Sequence, residues 1–122
     1  MNNIKRRERL DSGLNKEVPD IFVAAENNDV SALKIALRHA NVNAQDEIGM
    51  TPLHYAASTM SEEAIDVLLD AQDIDPTLAD KFGRSAASLA FECWNILALD
   101  LVNKLKPHCY PWLFEDSPDR AL

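Results

Sequence analysis

Three histidines and two cysteines have the widest chemical repertoire in this 122-residue chain. An imidazole can serve as general base or metal ligand near neutral pH, and a thiolate is a nucleophile. His108 and Cys109 are adjacent, but a Cys–His couple also needs a third group to orient the imidazole. No Asn or Asp arrangement around this pair, which follows Pro107, suggests an activated thiol. His39, His54 and His108 are scattered, with none of the HExxH or CxxC spacings that gather metal ligands, and no P-loop or GxGxxG cradles a phosphate. The expectation is a non-enzyme with no catalytic residue, no metal site and no cofactor. Cys93 and Cys109 are too few for a disulfide framework and are expected to be reduced thiols.

Charge narrows the partners. The net charge is -8, yet residues 1–16 hold five basic side chains (Lys5, Arg6, Arg7, Arg9, Lys16) against two acidic ones. Between His39 and Asp80 there is no Lys or Arg, while nine carboxylates appear. Such a surface repels phosphate backbones, so nucleic acid is excluded as a partner of the central body, and the basic leader reads as a solvated arm. No apolar run approaches the roughly 20 residues of a membrane-spanning helix. The first ten residues lack the apolar core of a secretory signal, so a cytoplasmic location without membrane insertion is expected.

The elements that must position these residues emerge from self-similarity. Asp46–Ala57 aligns with Asp80–Phe91 at an offset of 34, with Asp46/Asp80, Gly49/Gly83, Thr51/Ser85 and Ala56/Ala90 in register. Upstream, Ala24-Ala25 meets Ala56-Ala57 at an offset of 32, as do Leu33, Ile35 and Leu37 with Ile65, Val67 and Leu69. Units of about 33 residues follow, each read as two short antiparallel helices. Thr51 caps the first helix of the second unit and Pro52 opens it, where a missing N–H costs nothing. Ser61 is expected to cap the second helix, with Glu62 and Glu63 at its positive end and Ile65, Leu68 and Leu69 on its apolar stripe. The first unit's second helix starts after Asp29 and uses Leu33, Ala36 and Leu37, with His39 near its end. In the third unit, Asn95 is the expected cap for a helix carrying Ile96, Leu99, Val102 and Leu105, stopped before Pro107.

The run Asp46-x-x-Gly49-x-Thr51-Pro52-Leu53-His54-x-Ala56-Ala57, followed by Val67-Leu68-Leu69, resembles the ankyrin repeat. The resemblance covers roughly residues 18–105 and implies an all-α stack of helix-turn-helix pairs joined by β-hairpin-like loops. The third unit departs from the pattern, with Ser85-Ala-Ala-Ser88 for Thr-Pro-Leu-His and Trp94 where glycine is usual; the first has Asn28 at that turn. The organisation expected is a basic leader (1–16), a repeat domain (17–106, with repeats of about 17–45, 46–79 and 80–106) and an aromatic cap or tail (107–122). In the family pattern, the Thr51 hydroxyl and His54 imidazole hydrogen-bond within the turn and tie hairpins together. Gly49, Thr51, Pro52, Leu53, His54 and Gly83 are therefore structural.

The resemblance also implies protein recognition through hairpin tips and the concave surface of the first helices. The residues mapping there are Glu47, Ile48 and Met50, then Lys81, Phe82 and Arg84, then Glu26, Asn27, Ser58, Thr59, Glu92 and Cys93. Ile48, Met50 and Phe82 are the expected apolar anchors, because a solvent-facing tip gives the core no reason for them. The acidic middle implies a protein partner with a basic patch. Tyr110, Trp112, Leu113 and Phe114 either cap the last repeat or dock on another copy; a monomer is expected, with a homodimer through the tail as alternative. A self-assembling role and a small-molecule binder or enzyme are the rival functions, and the family also includes secreted effectors.

Overall fold

Four of the helices begin where a short polar side chain takes up otherwise free N–H groups. In the computed structural model, which describes residues 18–114, Asp20 Oδ1 accepts from Phe22 and Val23 to open α1 (Ile21–Glu26). Asp29 Oδ1 accepts from Ala32 at the start of α2 (Val30–Ala36). Thr51 and Pro52 open α3 (Pro52–Ser58) as their types require, and α4 spans Glu62–Leu69. Ser85 caps α5 (Ala86–Trp94), which runs through a 3-10 turn (Asn95–Ala98) into α6 (Leu99–Cys109), and α7 is the short Pro111–Phe114. The basic leader expected over residues 1–16 lies outside the described residues.

The helices pair as α1–α2, α3–α4 and α5–α6, and α3 packs on α1 to one side and α5 to the other. Alanines Ala25, Ala56, Ala57 and Ala90 are fully buried on these first helices, and their small side chains let neighbouring helices approach closely. Leu33, Ile65, Leu68 and Leu105 are buried on the second helices. Burying each such side chain contributes about 1.5–3 kcal/mol. The fold is the all-helical repeat stack, with no strand among the described residues.

Between the pairs, the chain closes tight loops. Asp46 N–H donates to Met50 O at 3.0 Å, Asp80 N–H to Arg84 O at 2.9 Å, and Lys81 N–H links the two loops by donating to Ile48 O at 2.8 Å. Gly49 has φ +86°, and a Cβ there would lie 3.0 Å from the Lys81 nitrogen, so this glycine permits both the turn and the contact.

The structure corrects four local expectations. Ser61 sits at the N-cap of α4 but makes no side-chain cap; Asn28 of the preceding repeat supplies it, its Oδ1 accepting from Ala64 N–H at 2.9 Å. The Ser61 hydroxyl instead reaches Glu26 O at 3.3 Å. Trp94 does not take the left-handed turn conformation: α5 runs on, and Asn95 takes it at φ +52°. Asn95 is thus a turn residue and not a side-chain cap, and Ile96 and Leu99 are exposed while Leu101, Val102 and Leu105 carry the buried stripe. Finally, α6 continues through Pro107 to Cys109. Buried Leu105 and Cys109 on one face hold that last turn in place despite the proline.

Candidate functional site

Each loop tip is organised by a carboxylate at its base. Asp80 Oδ1 accepts from the N–H groups of Phe82 and Arg84, both at 2.9 Å, and Oδ2 takes the Arg84 guanidinium at 2.7 Å. Asp46 accepts likewise from Ile48 and Met50 N–H, and its second oxygen receives the Tyr55 hydroxyl. Burial works to raise both carboxyls, but these hydrogen bonds outweigh it and hold them below the usual carboxylate range.

The two tips are tied together from beneath. His54 Nδ1 accepts from Thr51 N–H at 3.2 Å and lies 2.8 Å from the Thr51 hydroxyl, while Nε2 lies 2.8 Å from Arg84 O. A carbonyl oxygen only accepts, so Nε2 carries the proton and Nδ1 is the acceptor. Burial pushes the His54 pKa below its ordinary value. This imidazole is committed to three bonds within the scaffold.

On this frame the predicted residues separate. Glu47, Ile48, Lys81 and Phe82 are exposed, with Phe82 at 72% and Ile48 at 41% of full exposure. Met50 does not belong with them: it is 9% exposed, and its expected role as a tip anchor is withdrawn. The reason is register, since the residue that closes the loop back onto Asp46 points its side chain inward. Arg84 occupies the same register and is half-buried, but its long side chain reaches outward to Glu92 at 2.6 Å and lies over the Phe82 ring at 5.2 Å. Phe82, Arg84 and Glu92 therefore form one connected surface element. Thr59, Glu92, Asn27 and Cys93 are exposed on or beside the first helices, while Ser58 and Glu26 are half-buried.

Two contacts escaped the sequence reading. Trp94 Nε1 donates to Ser58 O at 2.7 Å, so a residue of repeat three crosses to the end of α3. Tyr110 lies 2.6 Å from the Ser85 hydroxyl, serving the third repeat's turn from the far end of α6. The clue to Trp94 was its unexpected size at a turn; Tyr110 is expected as part of a cap on the last repeat, but its bond to Ser85 has no sign in the sequence, because the two are 25 residues apart.

The reactive-residue candidates disperse. Cys109 is buried, and burial pushes its thiol pKa up, away from thiolate chemistry, while neighbouring His108 is exposed. Cys93 is exposed and free. Among the described residues, no group of three or more His, Cys, Asp or Glu is placed to hold a metal ion, and no helix is long and apolar enough to cross a membrane. Of the tail expected over residues 107–122, Tyr110 packs against the core and Trp112 and Leu113 are exposed, while residues 115–122 lie outside the described residues.

Comparison with known proteins agrees with this architecture. A family model described as ankyrin repeats (3 copies) matches residues 21–110. An ankyrin repeat and LEM domain-containing protein 1 homolog of Caenorhabditis elegans is 44% identical over 72 residues, covering 57% of this chain and 10% of that protein. The transient receptor potential cation channel subfamily A member 1 of Homo sapiens is 35% identical over 85 residues, covering 69% of this chain and 8% of the channel. The chain thus spans a tenth or less of the length of these relatives. Ankyrin repeats generally serve as protein–protein interaction modules and are typically not enzymatic. With three repeats matched over residues 21–110, the chain belongs to the ankyrin repeat family.

Proposed function

We propose that this chain binds a protein partner through its two loop tips and the adjoining surface of the first helices, without catalysis. One observation carries the reading: Ile48 and Phe82 are exposed on consecutive tips that the Lys81 N–H to Ile48 O bond holds at 2.8 Å. Two apolar side chains on a fixed spacing, flanked by Glu47, Lys81 and the Arg84–Glu92 pair, have the form of anchors within a polar rim. The tips are preorganised by Asp46, Asp80 and His54, so binding orders little backbone. The carboxylates between His39 and Asp80 favour a partner with a basic patch.

The test is a peptide or domain selected against the full chain from a display library. Ile48→Ala combined with Phe82→Ala should weaken its binding about tenfold or more, and raising salt should weaken it further. An unchanged affinity in the double variant places binding elsewhere.

A second reading, self-association through the tail, is supported by the exposure of Trp112 and Leu113. Light scattering separates it: a concentration-dependent mass that Trp112→Ser with Leu113→Ser abolishes would favour assembly.

A further inference from the structure

The third repeat leaves open a surface that the second repeat buries. Ala57 on α3, and Ile65 and Leu68 on α4, are fully buried. At the offset of 34, in the same register, stand Phe91, Leu99 and Val102. With Ala87 and Tyr110 they line a groove of about 330 Å³ between α5 and α6. Phe91 is 45% and Leu99 44% exposed, and Lys106 is the one charged residue of the lining.

The first repeat leaves open the opposite kind of surface. A groove of about 650 Å³ runs between α1 and α2, and every residue lining it belongs to that repeat, which places it on the flank facing away from the second. Ala24 and Ala32 in its lining hold the register of Ala56 and Ala64, which the second repeat buries completely. Its ionisable residues are Asp20, Asp29 and His39, and no Lys or Arg is among the described residues that line it. Inside the chain such flanks are consumed where one repeat packs on the next, α3 against α1 and against α5.

Shape and charge match across two copies. Phe91 stands proud where Ala57 lies flush, and the wider groove of the first repeat has room for its ring. Lys106 would bring a cation to a groove edged by Asp20 and Asp29. In a chain of net charge -8 most approaches of one copy to another meet like charge, whereas this one pairs opposite charges around an apolar contact.

We propose that a second copy of this chain docks head to tail, the α5–α6 flank of one copy seated in the α1–α2 groove of the next. The contact joins two different surfaces, so each added copy presents a fresh one, and assembly grows past a pair or closes in a ring. Ile48, Phe82, Trp112 and Leu113 line neither groove, so the loop tips stay free and the contact is distinct from association through the tail.

Sedimentation of the full chain tests this. The average mass at about 1 mM chain should exceed that of one chain and fall toward it on dilution. Val23→Glu with Ala40→Glu blocks the first groove, and Phe91→Glu with Leu99→Glu blocks the third-repeat flank. Each double variant alone should be a monomer. An equimolar mixture of the two should form pairs and nothing larger, because one intact groove then meets one intact flank. Trp112→Ser with Leu113→Ser should assemble like the parent. If a double variant loses its helical circular dichroism, Ala40→Glu alone and Leu99→Glu alone, both at exposed positions, carry the same mixing test. A parent that stays monomeric, a blocked variant that still associates, or a mixture that fails to pair overturns the proposal.

Discussion

His54 Nε2 donates to the carbonyl oxygen of Arg84, 2.8 Å away and 30 residues further along the chain. That bond, with the two from Thr51 to Nδ1, makes one side chain a clamp for its own turn and for the next loop. His54→Ala would leave the Arg84 carbonyl and the Thr51 N–H without these partners and open a cavity in a buried site. The expected cost is about 2–4 kcal/mol, read from the denaturation midpoint. A loss well under 1 kcal/mol would show that the clamp is redundant.

The same geometry sets a pH dependence. His54 is neutral in the fold because burial lowers its pKa and Nδ1 already accepts. In the unfolded chain it titrates near the ordinary value of about 6.5. Below that pH the unfolded state binds a proton that the folded state refuses, so stability is full above about pH 6.5 and falls as pH drops toward the lower folded value. Asp46 and Asp80 add a second, more acidic loss. Their lowered pKa values contribute stability above the unfolded value of about 3.9, which disappears as pH falls through the folded ones. Denaturation midpoints should therefore decline in two stages, and a His54→Gln variant should lack the first.

Asn28 joins two jobs that substitutions can separate. Its backbone is left-handed at φ +57°, and its side chain both caps α4 through Ala64 N–H and donates to Glu63 at 2.7 Å. Asn28→Gly keeps the backbone conformation and loses the cap, for about 1 kcal/mol. Asn28→Ala loses both, for about 2–3 kcal/mol. Equal costs for the two variants would mean that the backbone carries no strain.

These residues show which features could be read in advance. Thr51 and Pro52 act through neighbours a turn away, and the buried alanines of α3 recur at the repeat spacing, so their types and positions announced the middle repeat. Asn28 was recognised for its turn, but its cap acts on a helix 36 residues on, and one residue type cannot advertise a cross-repeat bond. Met50 was misjudged because loop register decides which way a tip side chain faces, and a loop of five residues has no periodicity to reveal it. The tip site was half visible: Ile48 and Phe82 stand where expected, while the ring contact and ion pairs organised by Arg84 appear only in three dimensions.

The thiols provide a check on the non-catalytic reading. Cys93 is exposed, whereas Cys109 is buried among core side chains with its thiol pKa pushed up. With a maleimide at neutral pH, one equivalent should react rapidly and the second only on unfolding. Cys93→Ser should abolish the fast phase. Rapid labelling of Cys109 in the folded chain would reopen the case for its pairing with His108.

Pro107 provides the last prediction. It lies inside α6, lacks the N–H that would bond to the carbonyl of Asn103, and crowds that carbonyl with its ring. A proline in a helix interior costs about 3 kcal/mol, offset by about 0.4–1 kcal/mol because proline also restricts the unfolded chain. Its place in the final turn reduces the cost further, since few bonds follow it. Pro107 is exposed, so replacing it removes little packing. Pro107→Ala should therefore stabilise the chain by about 1–2 kcal/mol, seen as a higher Tm, and extend amide protection through Cys109 and Tyr110. If Tm fell instead, the proline would be fixing the path of the chain toward α7, and the buried position of Cys109 and the packing of half-buried Tyr110 would depend on it.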